Sequence, residues 1–143
     1  MQLKELMTRG VEVIHPDATL QEAAQQMRGL DVGPLPVCDG EHLVGMLTDR
    51  DITVRATAEG RDPKTTKVRD VMTCEVIYAF EDQGITEAAR LMEEHQIRRL
   101  LVLNRDKRLV GIVSLADLAV HTDNERLAGE VVERVSEPAE PKR

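Results

Sequence analysis

Gly45-Met46-Leu47-Thr48-Asp49-Arg50-Asp51 and Gly111-Ile112-Val113-Ser114-Leu115-Ala116-Asp117 are two forms of one pattern: a glycine, two apolar residues, a hydroxyl, two further residues and an aspartate. Each follows a short apolar run and opens a stretch of helical character, so each stands where a strand turns into a helix. Working outward from them exposes a duplication. At an offset of 66, Leu43-Val44-Gly45 falls on Leu109-Val110-Gly111, Thr48 on Ser114 and Asp51 on Asp117. Upstream of one inserted residue the offset becomes 65. It superposes Met7-Thr8 on Met72-Thr73, Leu20 on Ile85, Ala23-Ala24 on Ala88-Ala89 and Met27 on Met92. Val32 likewise meets Ile97, Leu35 meets Leu100 and Val37 meets Val102.

Local signals in each copy give strand, helix, strand, strand, helix. Val11-Glu12-Val13-Ile14 is β-branched and loosely alternating, a short strand. Thr19 with Glu22 three residues on is a capping-box signature, and Leu20, Ala23, Ala24 and Met27 make one apolar helical face. Gly29 and Gly33 punctuate the chain before Leu35-Pro36-Val37-Cys38, a short buried strand. Asp39-Gly40 is a turn, and Leu43 to Leu47 returns as the hairpin partner. A second helix begins near Asp49, and the second copy repeats the order from Val76 to about Val120.

One copy of about 55 residues buries too little surface to offset its chain entropy comfortably. The expected fold is therefore α/β, with the two copies pairing around a pseudo-twofold axis over one core. The expected divisions are residues 1–60 for the first repeat, 61–68 for a polar linker, 69–121 for the second repeat and 122–143 for a tail. In that tail Leu127, Val131 and Val135 mark a short amphipathic helix, for packing on its own module or for a subunit contact, before a disordered Glu137 to Pro141.

Composition removes several function classes. The net charge of −7 and the presence of only Tyr78 and Phe80 as aromatics argue against a nucleic-acid binder, which needs clustered cations and stacking platforms. No apolar run approaches the roughly 18 residues of a membrane span, and Met1 to Arg9 lacks the apolar stretch of a signal peptide. A cytoplasmic protein without a membrane partner is expected. Cys38 and Cys74 fit a reducing compartment as free thiols, a disulfide or redox switch being the alternative. His15, His42, His95 and His121 are scattered without ligand spacing, so no metal site is assigned. There is no Gly-x-Ser-x-Gly elbow, phosphate-binding loop or His-Glu-x-x-His, and the Asp49 and Asp51 pair is explained by a helix start. No catalytic residue is assigned, and the chain is not expected to be an enzyme.

Two readings of the repeated motif stand side by side. Thr48 or Ser114 can cap a helix, with Asp51 or Asp117 closing the box, for about 1 kcal/mol per helix. Capping does not by itself demand a glycine three residues before the hydroxyl. The same geometry also offers an anion site, because a helix N-terminus presents backbone N–H groups and a positive dipole end.

The order of elements, the Leu35-Pro36-Val37 strand and the two Gly-x-x-Thr/Ser-x-x-Asp motifs resemble a paired cystathionine-β-synthase-type (CBS) module over about residues 4 to 121. The Met46-to-Asp51 run is similar to that of small two-repeat proteins of the bacterial hypoxic-response type. The resemblance implies a regulatory module that binds an adenosine-containing ligand in clefts lined by both repeats. The aspartate would take the ribose, the Thr or Ser would lie near phosphate, and short apolar residues would hold adenine. One cleft would use Ser114, Asp117 and Ile112 with Thr8, Val11 and Val32; the other would use Thr48, Asp51 and Met46 with Thr73, Val76 and Ile97. Arg98 and Arg99 would meet phosphate in the second copy. The first copy has Gly33-Pro34 there, leaving Arg50 as its nearby cation and Asp49 as an added negative charge. Leu101 stands where the family's strand usually has proline. No cofactor is required, and AMP, ADP or ATP are the implied regulatory ligands. The module is expected to form a homodimer and to signal to a separate effector. The rival reading is a ligand-free dimerising stress or interaction protein.

Overall fold

The computed structural model describes residues 1–121. The tail helix expected around Leu127, Val131 and Val135 and the end at Glu137 to Pro141 lie outside the described residues. Two compact units form, and they do not follow the linear order of the repeats. One unit is Glu12–Val76; the other combines, among the described residues, Met1–Val11 with residues 77–121.

In the Glu12–Val76 unit, helix α1 (Leu20–Leu30) begins at Thr19, whose hydroxyl accepts from Glu22 N while the Glu22 carboxylate accepts from Thr19 N, both at 3.2 Å. The next two N–H groups are satisfied from afar: Leu20 N donates to Thr66 O and Gln21 N to Pro63 O, each at 3.0 Å. The polar stretch read as a linker is thus docked on a helix start, where backbone donors need partners. Leu20, Ala23 and Met27 are buried, whereas Ala24 is exposed. The i, i+3, i+7 ridge meets the core alone, and Ala24 lies on its flank. The helix runs through Gly29 and ends at Asp31, which adopts a left-handed φ of 54° and donates to Arg28 O and Met27 O. Asp tolerates that conformation better than most residues.

Strands β1 (Pro34–Asp39) and β2 (His42–Thr48) pair antiparallel, with Gly40 at φ +64° in the turn. The second helix, α2 (Asp49–Asp51), widens directly into a π-helical stretch over Ile52–Thr57. Ile14, Leu20, Ala23, Met27, Leu35, Val37 and Leu47 pack with Ala56, Val68 and Val71 in this unit's core.

The other unit holds β3 (Tyr78–Phe80), α3 (Ile85–His95), β4 (Arg99–Leu103), β5 (Leu109–Ser114) and α4 (Leu115–His121). β3 runs parallel to β4, which pairs antiparallel with β5. Its hairpin carries the inserted residue. Asn104 Oδ1 accepts from Asp106 N and Arg108 N at 3.0 Å, and Lys107 takes φ 61°. Leu3, Met7, Ala79, Ala88, Ala89 and Met92 pack with Leu100, Val102, Val113 and Leu118.

One expected strand is cut back. Val11–Ile14 forms only a single parallel bridge, Ile14 to Val37, where the second copy has the strand β3. In the second copy Glu81 N donates to Leu103 O at 2.8 Å and extends the ladder. The corresponding residue of the first copy is Pro16, which has no N–H to donate.

The segment preceding each repeat docks into the unit of the other, by equivalent bonds. A 3-10 turn at Leu3–Glu5 donates from Leu3 N to Gln83 O and from Lys4 N to Glu81 O, at 2.9 Å. Its counterpart at Val68–Asp70 donates from Val68 N to Ala18 O and from Arg69 N to Pro16 O, also at 2.9 Å. Leu3 and Val68 are fully buried at the heads of these turns. Among the described residues, no helix is long and apolar enough to cross a membrane.

Candidate functional site

Both motifs sit where β2 and β5 pass into helices, and each glycine has a steric reason. In the Glu12–Val76 unit, Thr73 forms an antiparallel bridge with Met46: Met46 N donates to Thr73 O at 2.8 Å and Thr73 N to Met46 O at 2.9 Å. A Cβ on Gly45 would lie 2.8 Å from Thr73 O and 2.8 Å from Met72 Sδ. In the other unit Thr8 bridges Ile112, with Thr8 N to Ile112 O at 2.8 Å and Ile112 N to Thr8 O at 3.0 Å. A Cβ on Gly111 would lie 2.5 Å from Met7 Sδ and 3.0 Å from Thr8 O. The glycine of the motif is the notch that admits the Met-Thr pair. The repetition of Met7-Thr8 as Met72-Thr73 therefore belongs to the same device as the repeated glycine.

The hydroxyl and carboxylate of each motif are joined as reciprocal caps. Thr48 N donates to Asp51 Oδ2 and Asp51 N to Thr48 Oγ1, both at 3.0 Å. Ser114 N donates to Asp117 Oδ2 at 2.8 Å and Asp117 N to Ser114 Oγ at 3.1 Å. The capping reading is realised in both copies. Each cap engages one carboxylate oxygen, which leaves the aspartate a second acceptor.

The backbone of the second-copy arginine pair stands against its motif. Arg98 O accepts from Leu115 N at 2.8 Å, and Arg99 pairs with Ser114 across the β4–β5 ladder. In the first copy Gly33 O accepts from Asp49 N at 3.1 Å, and Pro34 pairs with Thr48. The backbones correspond, so the two motif edges differ by an arginine pair against an uncharged Gly-Pro. Arg50 is exposed, and its N–H donates to Asp49 Oδ1 at 2.9 Å.

Thr8, Val11, Ile112, Ser114, Asp117, Arg98 and Arg99 fall in one unit; Met46, Thr48, Arg50, Asp51, Thr73 and Val76 fall in the other. Val32, expected with Ser114 and Asp117, belongs to the unit of Thr48 and packs against that unit's core. Ile97, expected with Thr48 and Asp51, belongs to the unit of Ser114 and packs there. Arg55 was not among the expected residues. Its Nε lies 3.8 Å from Asp51 Oδ1, and its Nη1 donates to Val71 O and Met72 O at 3.4 Å. It thus ties the motif carboxylate to the segment that enters the notch. The i, i+4 spacing of Asp51 and Arg55 was the available signal.

Cys38 is buried, and burial pushes its thiol up to about 11, so it stays protonated at neutral pH. Cys74 is exposed. Among the described residues no group of three or more His, Cys, Asp or Glu side chains is placed to hold a metal ion.

Known proteins similar to this chain carry the same architecture. The CBS-domain family profile matches residues 3–56 and 68–129. The CBS domain-containing protein YhcV of Bacillus subtilis is 42% identical over 134 residues, covering 94% of each chain. Hypoxic response protein 1 of Mycobacterium tuberculosis is 43% identical over 119 residues, 82% of each chain. The crystal structure of Hypoxic Response Protein I with two coordinated zinc ions is 41% identical at a TM-score of 0.76, covering 85% of this chain and 99% of that one. The CBS domain pair of protein MJ0100, solved in complex with 5′-methylthioadenosine and S-adenosyl-L-methionine, is 27% identical at a TM-score of 0.67, covering 84% of this chain and 94% of that one. With a profile match over each repeat and a shared fold at this level of identity, the chain belongs to the CBS-domain family and carries the domain twice.

Proposed function

We propose that this CBS pair is a non-catalytic regulatory module that binds an adenosine-containing ligand of the AMP, ADP or ATP class and passes its occupancy to a separate partner. The observation that carries the reading is the seating of Arg98 and Arg99 against the Ser114–Asp117 turn, through the Arg98 O to Leu115 N bond of 2.8 Å and the Arg99–Ser114 pairing. Two arginines whose backbones border a helix start bring positive charge to that edge, which favours a phosphorylated ligand. In this reading the Asp117 oxygen not used by the cap accepts from ribose hydroxyls, and Thr8, Val11 and Ile112 provide small walls for the base. The complex of the MJ0100 pair with two adenosine derivatives supports an adenosine-containing ligand, and the phosphate rests on the arginine pair alone. A ligand able to bias a bistable homodimer would supply the signal, since a binding event shifts an equilibrium only by its differential affinity for the two states.

Isothermal titration of the whole chain with AMP, ADP, ATP, NADH and S-adenosylmethionine tests the proposal. Saturable heat with at least one of them is expected, with an affinity loss of about tenfold or more in Asp117→Ala (about 1.4 kcal/mol). Absence of heat and of any melting-temperature shift across the series would refute it and favour the ligand-free interaction protein.

A further inference from the structure

The two motif turns are folded alike but differ in charge: Asp49 and Asp51 stand with Arg50 and Arg55 in the first copy, whereas Asp117 stands with Arg98 and Arg99 in the second, and the difference at the turn itself centres on Asp49. In the first copy the chain itself occupies the successive N–H groups of the turn. Thr48 N goes to Asp51 Oδ2, Asp49 N to Gly33 O, Arg50 N to Asp49 Oδ1 and Asp51 N to Thr48 Oγ1, all between 2.9 and 3.1 Å. The Asp49 carboxylate also fills the space over Gly33, where a Cβ would meet Oδ1 at 3.1 Å and Oδ2 at 3.3 Å. In the second copy Leu115 stands at the place of Asp49 and Arg98 at the place of Gly33. A leucine side chain has no acceptor for the Ala116 N–H and brings no negative charge. The edge that carries two arginines in one copy carries a carboxylate in the other, bonded to the backbone N–H that an anion would use.

We infer that Asp49 is a specificity-determining residue. It acts as a built-in anion that makes the first-copy half, around Met46, Thr48 and Asp51, refuse phosphorylated ligands and take adenosine compounds whose 5′ group is uncharged or cationic. The inference rests on the adenosine-ligand reading above and assigns different ligand classes to the two halves. Its physical basis is like-charge exclusion. A phosphate brought to this turn must approach a carboxylate and displace it from the Arg50 N–H, whereas an uncharged or cationic substituent does neither. The missing Cβ at Gly33 is the matching adaptation, because a larger residue there would push the carboxylate away.

The test uses the full chain with adenosine, AMP and 5′-amino-5′-deoxyadenosine as probes, and follows backbone amide shifts of Met46 and Thr48 in one half and Ile112 and Ser114 in the other. In the wild type, AMP should move only the Ile112 and Ser114 amides, while adenosine and the 5′-amine should also move those of Met46 and Thr48. Asp49→Asn keeps an acceptor for the Arg50 N–H and removes the charge, so the turn should survive. It should admit AMP to the first-copy half with an affinity gain of about tenfold or more. Leu115→Asp should weaken AMP at the second-copy half by a similar factor while leaving adenosine there unchanged. AMP entering both halves of the wild type equally, or an Asp49→Asn chain whose Met46 and Thr48 amides still ignore AMP, overturns the role of Asp49 and leaves the ligand reading intact. Failure of all three probes to move any of these amides overturns both.

Discussion

Replacing Gly45 by alanine tests the notch from which the motif is built. The added Cβ would stand 2.8 Å from Thr73 O, and ordinary contact requires about 3.4 Å, so one backbone must retreat by roughly 0.6 Å. That carbonyl accepts from Met46 N at 2.8 Å, and the return bond from Thr73 N to Met46 O is 2.9 Å. A shift of this size stretches both to about 3.4 Å, near the limit of a useful hydrogen bond, at about 1 kcal/mol each. Overpacking against Met72 adds about 1–3 kcal/mol. The expected loss is therefore about 3–5 kcal/mol, a lowering of the urea midpoint by about 1.5–2.5 M. Gly29→Ala is the control, because nothing lies within 4 Å of a Cβ there and the site is inside α1. It should stabilise by about 0.5–1 kcal/mol. Urea unfolding gives the energies, and hydrogen exchange at the Met46 and Thr73 amides localises them. A Gly45→Ala protein as stable as wild type, with both amides still protected, would refute the steric account of the motif.

Other outcomes follow from the same geometry. The Arg69 guanidinium bonded to Asp17 holds that carboxyl below its usual 3.8, so the pair stabilises the fold above about pH 4 and loses the effect as pH falls through the lowered value. The stability gap between wild type and Asp17→Asn should accordingly shrink on acidification, as measured by urea unfolding at a series of pH values. Glu81→Pro removes the N–H bonded to Leu103 O and should cost about 1–3 kcal/mol, with loss of amide protection along β3. At neutral pH a thiol reagent should label Cys74 quickly and Cys38 only on unfolding; rapid labelling of both would contradict the burial of Cys38.

Much of the fold was legible because its signals are local. The 3.6-residue ridge of Leu20, Ala23 and Met27, the Thr19–Glu22 box and the Asp39-Gly40 turn act within a few residues, and each element appears where those signals put it. The shortened first strand was also legible in principle, since Pro16 withholds the N–H that Glu81 supplies. The π-helical continuation follows Ile52-Thr53-Val54, three β-branched residues that crowd a tight helical turn. Docking of Met1–Val11 beside the second repeat was hidden, because pairing across more than a hundred residues leaves no local trace. Its only marks were the repeated Met-Thr pair and the repeated glycine, which gain meaning once Thr8 is seen against Ile112. The caps of both motifs were readable from Thr/Ser-x-x-Asp, whereas Arg55 acts through Val71 and Met72, carbonyls on a distant segment.

The claim at the centre of this account is that the Ser114–Asp117 turn with its arginine pair receives an adenosine-containing ligand. Backbone amide spectra of the full chain during an AMP titration test it most directly. The account predicts saturable shifts centred on Thr8, Ile112, Ser114 and Asp117, displaced to about tenfold higher AMP or more in Asp117→Ala while that protein remains folded. Spectra unchanged by AMP, or shifts confined to residues away from this turn, would contradict it.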